Sequence, residues 1–295
     1  MMNFEEFKAW VKENVTSKGW KETSQIEISV VKKNNGVSAT GLFIRENGQD
    51  VSPILYLDDY YIHYQNGELL ENVIRNIRAD YDKKVQMAAV KIPNLQEFEN
   101  IRGRVIYRLV NYEKNKEILE DCPHIRLHDL AVTFRWVARI DDVGVSTSLI
   151  TNKQVKEWGV SVNDLVLAAR QNTPRLFPAK IIDMEEMLAG MVSFILYPSA
   201  IPMYILTNEQ ELNGASALLY GDILKDFANK KGSDMYILPS SIHEVIMVPA
   251  DRIDDPKGLS SMVHEANTTV VSTGDVLSDS VYYYDRKKDQ ILVKA

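Results

Sequence analysis

The stretch MYILPSSIHEVIMV, residues 235–248, indicates how the last hundred residues of this chain fold. It places two apolar runs, Met235–Leu238 and Val245–Val248, on either side of the polar segment 239–244. Short apolar runs bounded by Pro and Ser are typical of strands, and Ser hydroxyls satisfy backbone groups in turns. The stretch therefore predicts a β-hairpin.

The same arrangement recurs along the chain, with predicted hairpins over 26–44 around Asn34-Asn35-Gly36, over 132–150 and over 281–293. Amphipathic helices are predicted over 3–15, after Gly67 and after Pro256. Hairpins outnumber alternating strand–helix–strand units, so we predict an α+β fold with mainly antiparallel sheets and packed helices. We expect two closely associated halves, 1–123 and 124–295, or a single domain.

Helix boundaries are marked between residues 151 and 174. Thr151 is predicted to cap one helix, and Gly159 to end it in a left-handed conformation. Ser161 with Asp164 resembles a capping box for the next helix, which we expect to end at Thr173-Pro174. Further on, a helix is predicted to run up to Lys230-Lys231-Gly232.

An uncharged stretch from 187 to 206 has the length of a membrane span. Pro198 and Pro202 would leave backbone groups unpaired in lipid. We therefore predict a buried helix to about Tyr197, a loop and a strand, and no membrane association.

The composition is that of an average globular protein with an acidic balance, since the formal net charge is -7 over 295 residues. Nucleic-acid-binding proteins usually carry a basic face, so no nucleic-acid partner is expected. A single cysteine, Cys122, permits no intramolecular disulfide and fits a reducing compartment. The first residues lack the apolar core of a secretory signal, so a cytoplasmic location is expected.

Cys122, His124 and His128 form the tightest group of potential metal ligands. Their spacing matches no standard zinc motif, and a polar connection leading into the next strand explains them equally well. We expect no metal and no cofactor.

Ser241, His243 and Glu244 combine the residue types of a hydrolase site. Adjacent residues of a tight turn rarely point at one another, and no G-x-S-x-G elbow is present. Catalysis by these residues and a plain hairpin turn both remain open.

Two further places are candidate binding sites. Asn208 and Asn213 lie between a predicted strand and a helix, where ligands often bind, but no nucleotide-binding fingerprint accompanies them. Tyr60 and Tyr61 belong to a tyrosine-rich segment that forms either an exposed recognition face or a half-buried aromatic layer.

The chain as a whole resembles a known family. The resemblance rests on these segments: Pro53-Ile-Leu-Tyr56 with Asp59-Tyr-Tyr61, Leu109-Val-Asn111 with Glu113-Lys-Asn115, Asp129-Leu-Ala131, Asn172-Thr-Pro-Arg-Leu-Phe-Pro178, Met203-Tyr-Ile-Leu-Thr-Asn208 with Asn213-Gly-Ala215, Tyr236-Ile-Leu-Pro-Ser-Ser-Ile-His-Glu244, and Leu277-Ser-Asp279 with Val281-Tyr282. The family is the bacterial domain-of-unknown-function family 5688. The resemblance implies one full-length unit in an intracellular bacterial setting, and it assigns no catalytic or binding residue.

The leading hypothesis is a non-enzymatic binding or regulatory module with a protein or peptide partner, and the acidic balance and the tyrosines favour it. The alternative is a hydrolase or transferase of unfamiliar type that uses the 239–244 turn or the Cys122/His124 cluster. A third hypothesis is a ligand-sensing domain with a pocket near Asn208 and Asn213. The sequence does not specify an oligomeric state.

Overall fold

The computed structural model describes residues 1–17, 20, 24–45, 53–88, 94–141, 144–191 and 201–294. The chain forms two compact units, Met1–Ile92 with Asp141–Val143 (unit 1), and Pro93–Ile140 with Gly144–Ala295 (unit 2). The division into halves at residue 123 stays a prediction. Strands on either side of that position pair with each other inside unit 2.

Unit 1 packs helices against a small antiparallel sheet. Its elements are α1 (Phe4–Ser17), β1 (Gln25–Lys32), β2 (Ser38–Arg45), β3 (Ile54–Tyr56), α2 (Leu57–Gln65) and α3 (Leu70–Ala88). The strand order is β1-β2-β3, and the predicted hairpin is confirmed, with Lys32 opposite Ser38. At its turn, Asn35 and Gly36 both have positive φ, which these two residue types tolerate best.

The first sheet of unit 2 is built around one long strand. Its members are β4 (Val105–Asn111), β5 (His124–Leu127), β6 (Leu130–Asp141) and β7 (Gly144–Leu149). The strands β4, β5 and β7 all pair with β6, as the predicted hairpin over 132–150 requires.

The second sheet of unit 2 has six strands in the order β13-β12-β10-β11-β9-β8. They are β8 (Ala179–Asp183), β9 (Tyr204–Asn208), β10 (Met235–Leu238), β11 (Val245–Pro249), β12 (Tyr282–Asp285) and β13 (Gln290–Val293). The stretch 235–248 is the predicted hairpin, with Leu238 opposite Ile246. Together with the helices, the antiparallel pairing confirms the α+β class.

The helices of unit 2 are α4 (Lys116–Glu120), α5 (Asn152–Trp158), α6 (Val162–Leu176), α7 (Met184–Met191), α8 (Ile223–Lys231) and α9 (Lys257–Thr269). The predicted capping box of Ser161 with Asp164 is present, and Thr151, predicted as a cap, forms a capping box with Gln154. Gly159 ends α5 with a φ of 66°.

The predicted end of the second capped helix at Thr173-Pro174 was wrong, whereas the predicted end of α8 at Lys230-Lys231-Gly232 is confirmed. The helix α6 continues through Pro174 to Leu176, because proline in a last turn removes only one N–H, and the Thr173 hydroxyl donates to the Ala169 carbonyl there. The segment before α8 is a separate 3-10 helix, Gly214–Leu219. Of the predicted helix reaching Tyr197, α7 covers the part up to Met191, and residues 192–200 lie outside the described residues. Among the helices that the structure describes, none is long and apolar enough to cross a membrane.

Candidate functional site

Two arginines lie on the same face of the four-stranded sheet. Ile106 is paired with Arg135, and Arg108 with Thr133, across β4 and β6. Paired residues share a face, and so do residues two apart on a strand. Arg108 and Arg135 are therefore diagonal neighbours that project from one side of the sheet.

These arginines line a pocket inside unit 2. The enclosed part of the pocket is small, about 20 Å³, which is room for roughly one water molecule. It opens into a wider depression of about 340 Å³ that is partly open to solvent. Its lining comes from the four-stranded sheet, the end of α6 and the segment after β9: Ile106, Tyr107, Arg108, Arg135, Val145, Thr147, Thr173, Phe177, Asn208, Leu212, Asn213, Ser216 and Tyr220.

Arg135 is held in place by hydrogen bonds. Its Nε donates to the Thr147 hydroxyl at 2.8 Å, and its Nη2 donates to the Thr147 carbonyl at 3.2 Å. Burial lowers the pKa of its guanidinium. The side chain is thus fixed on β7 as part of the pocket wall.

Arg108 is not held in this way. Its Nε is buried, and in the part of the chain that the structure describes it has no hydrogen-bond partner. Burial, with the neighbouring Arg135, lowers the pKa of Arg108 to about 10, although Asp275 acts in the opposite direction. The group therefore remains a buried cation at neutral pH.

Tyr107 also belongs to the pocket lining, but its side chain projects from the face of the sheet opposite to that of Arg108. Its hydroxyl has no hydrogen-bond partner among the described residues, and burial raises its pKa. Its backbone N–H donates to the Thr173 hydroxyl at 3.1 Å, and its ring packs edge-on against Tyr220. The hydroxyl of Tyr220, in contrast, donates to the Phe177 carbonyl at 2.8 Å.

The segment after β9 forms the opposite side of the pocket. Asn208 is buried, and its carboxamide both donates to the Leu212 carbonyl and accepts from the Leu212 N–H, which shapes this loop. Asn213 follows with a φ of 54°. Both predicted binding residues, Asn208 and Asn213, thus line the pocket, although the Asn208 side chain is already hydrogen-bonded within the loop.

Gly214 allows this loop to approach the turn before β11. A Cβ at Gly214 would overlap the Thr207 hydroxyl and would lie 2.5 Å from the His243 carbonyl oxygen. The loop is therefore fixed to the 239–244 turn by a contact that only glycine permits.

The three candidate catalytic residues lie in that turn, but the serine and the histidine ring do not meet. The Ser241 Oγ accepts the His243 backbone N–H at 3.0 Å. The His243 Nδ1 accepts from the Asn213 N–H at 3.4 Å, while its Nε2 lies 3.5 Å from an Asp275 carboxylate oxygen. Burial raises the pKa of Glu244 above its usual value.

The candidate metal ligands do not converge. Cys122 is buried in a small apolar cluster, and burial raises the pKa of its thiol to about 11. The His124 Nδ1 contacts the Cys122 carbonyl, whereas the His128 Nε2 contacts the Ile291 carbonyl on β13. In the described ranges no three His, Cys, Asp or Glu side chains are grouped to hold a metal ion.

The candidate tyrosines of unit 1 are half-buried on α2. The Tyr60 hydroxyl donates to Asp80, and the Tyr61 hydroxyl donates to the Met2 carbonyl. The Tyr61 ring also packs against Phe4 and Phe7. Of the two arrangements considered for this segment, the aromatic layer is the one observed.

Arg108, Arg135 and Tyr107 were not singled out from the sequence. Their signal was an arginine among apolar residues on each of two strands, IYRLV at 106–110 and FRW at 134–136. Recognising it required the pairing of β4 with β6, which the sequence pattern does not provide.

Comparison with known proteins gives a family but no relative of known activity. No curated protein and no solved structure matches this chain. The sequence profile described as "Family of unknown function (DUF5688)" matches residues 4–286. That range includes the pocket and most of both units, so the chain belongs to this family of unknown function.

Proposed function

We propose that this protein is a non-enzymatic ligand-binding module and that the pocket in unit 2 holds a small molecule. One atom carries the proposal: the Arg108 Nε, which is buried without a described partner on a residue that lines the pocket. More than about 90% of buried polar groups in proteins are hydrogen-bonded, so this exception beside a pocket calls for an explanation. A ligand that supplies the missing bond is such an explanation.

The construction of the pocket supports the same function. Its walls come from strands and loops far apart in sequence, as the hydrogen bond from the Leu109 N–H to the Ser216 hydroxyl illustrates. Capped and hydrogen-bonded elements hold these walls in place before any ligand arrives. Preformed concave sites with a few polar groups are typical of small-molecule binding.

The alternative, a hydrolase that uses Ser241, receives less support. A serine nucleophile needs a base within hydrogen-bond reach, and both nitrogens of the His243 ring face other groups. The Ser241 side chain is also only 4% exposed.

A thermal-shift screen tests the proposal. The library contains neutral, cationic and anionic metabolites, and the proteins are wild type, Val145→Phe and Ser148→Phe. Val145 lines the pocket, so the larger ring would fill it, whereas Ser148 is exposed on the same strand. At a ligand concentration of about 100 times the Kd we expect a rise in Tm of about 5–10 °C.

This rise should occur in wild type and Ser148→Phe but not in Val145→Phe. Equal shifts in all three proteins would place binding outside the pocket. No shift with any compound, together with native mass spectra of bare protein, would refute the proposed function.

A further inference from the structure

Among the described residues that line the pocket, the charged side chains are all positive. The lining contains the guanidinium groups of Arg108 and Arg135 and, among the described residues that line it, no carboxylate. The protein as a whole carries a net charge of -7, so a basic pocket runs against its overall balance.

Arg108 feels the charge of Asp275 but is not paired with it. Within the described ranges it takes part in no ion pair, and the nearby Asp275 accepts from the Ser272 hydroxyl at 2.6 Å and faces His243. An unpaired buried charge is among the most costly groups that a protein can contain. Packing alone does not explain it, because an uncharged side chain of similar length would fill the same space.

Arg135 adds a second positive charge beside Arg108, but its guanidinium is already hydrogen-bonded to Thr147. Its bonds to Thr147 fix its orientation, so it contributes a stationary positive charge beside Arg108. Two neighbouring cations repel each other, and an anion placed between them removes that repulsion.

We propose that the ligand is a small oxyanion, a carboxylate or a phosphate, which pairs with the Arg108 guanidinium while the rest of the ligand contacts the apolar side chains of Ile106, Val145 and Phe177. This inference rests on the proposed ligand-binding function and specifies its ligand class. The planar fork of an arginine matches two oxygens of such a group, and charge-assisted bonds of this kind are the strongest that side chains form.

The test measures binding of three probes by calorimetry: benzoate, its neutral analogue benzamide, and inorganic phosphate. The proteins are wild type, Arg108→Gln and Arg252→Gln; Arg252 is exposed and carries the matched charge change. We expect at least one of the two anions to bind wild type and Arg252→Gln, and to bind Arg108→Gln about 10-fold or more weakly. Benzamide should bind none of them measurably. Which anion binds distinguishes a carboxylate ligand from a phosphate ligand.

The outcomes separate this inference from the function on which it rests. Neutral compounds that bind wild type and Arg108→Gln equally, with neither anion binding, would overturn the oxyanion and leave the ligand-binding function intact. Anion binding that Arg108→Gln does not weaken would also overturn it. If neither anion binds and the metabolite screen also finds nothing, both proposals fail.

Unfolding of the ligand-free variants gives a second readout that does not depend on a probe. Arg108→Met should leave the free energy of unfolding unchanged or raise it, since an unpaired buried charge is removed. Arg135→Met should lower it, because the two hydrogen bonds to Thr147 are lost. A large loss of stability in Arg108→Met would show that Arg108 has a structural partner and would count against the oxyanion.

Discussion

At the scale of single residues, Gly214 determines whether the pocket loop can form. A Cβ there would meet the Thr207 hydroxyl and two backbone atoms, the His243 carbonyl oxygen and the Asn208 nitrogen. These neighbours cannot move independently, because the Thr207 hydroxyl itself donates to the His243 carbonyl at 2.8 Å. The absence of a side chain at Gly214 therefore allows the pocket loop to pack against the turn before β11.

We expect Gly214→Ala to lower the free energy of unfolding by about 1–3 kcal/mol, since overpacking against backbone has that cost. Gly258→Ala is the matched control: a Cβ there meets nothing within 4 Å, and alanine is the better helix former on α9. Urea unfolding of both variants gives the comparison. If Gly214→Ala were as stable as Gly258→Ala, the close approach would not be a constraint.

At the scale of secondary-structure elements, the two helices that follow β7 in the chain, α5 and α6, both begin with a capping box. In α5, the Thr151 hydroxyl accepts the Gln154 N–H, and the Gln154 side chain accepts the Thr151 N–H. The next helix, α6, repeats this with Ser161 and Asp164. The carboxylate of Asp164 carries a pKa lowered chiefly by the Ser161 hydroxyl.

We expect Thr151→Ala to destabilise the protein by about 1 kcal/mol, because it leaves an N–H at the start of α5 unsatisfied. Lys153→Ala, on the same helix with its side chain 83% exposed, should change stability little. The measurement is the urea midpoint at constant m-value. Equal midpoints for the two variants would contradict a role for the cap.

Elements with local signals could be predicted from the sequence, and those that depend on long-range pairing could not. Alternating side chains and turn residues predicted the hairpins, and Thr151 and Gly159 predicted the start and the end of α5. The 3-10 helix at Gly214–Leu219 escaped, because its buried small residues resemble the apolar face of an ordinary helix. The pocket escaped for a different reason: Arg108 and Arg135 meet only once β4 is aligned on β6. Asn208 and Asn213, which line the pocket, were singled out because polar residues after a strand are a local signal, and their role in binding stays a prediction.

At the scale of the whole molecule, stability should depend on pH through Glu244. Burial raises the pKa of its carboxyl, an effect opposed by His243 and the Ser241 hydroxyl and reinforced by Glu211 and Asp275. A raised folded-state pKa means that the native protein binds a proton more tightly than the unfolded chain. The free energy of unfolding therefore falls as pH rises from the unfolded value near 4.5 through the raised folded value.

We expect Glu244→Gln to remove this part of the pH dependence and to stabilise the protein at pH 7 relative to wild type, because the amide has no charge to bury. Glu265→Gln removes the same charge from an exposed position on α9 and should retain the wild-type slope. Urea unfolding from pH 4 to pH 8 provides the profiles. Parallel profiles for wild type and Glu244→Gln would rule out this contribution.

Hydrogen bonds connect the four-stranded sheet with the segment before β12, and we call this set of contacts the seam. The residues that it joins are far apart in the chain. The Asn111 carboxamide donates to the Leu277 carbonyl, and the Ser278 hydroxyl donates to the Asp129 carboxylate, across sequence separations of 166 and 149 residues. A ribosome adds about 5–20 residues each second, so roughly 8–30 s pass between the synthesis of the first side of the seam and that of the second. During that interval the Asn111 carboxamide and the Asp129 carboxylate lack these hydrogen-bond partners. Substitutions in this seam should therefore reduce the yield of folded protein in cells more than they reduce the stability of the molecules that complete folding.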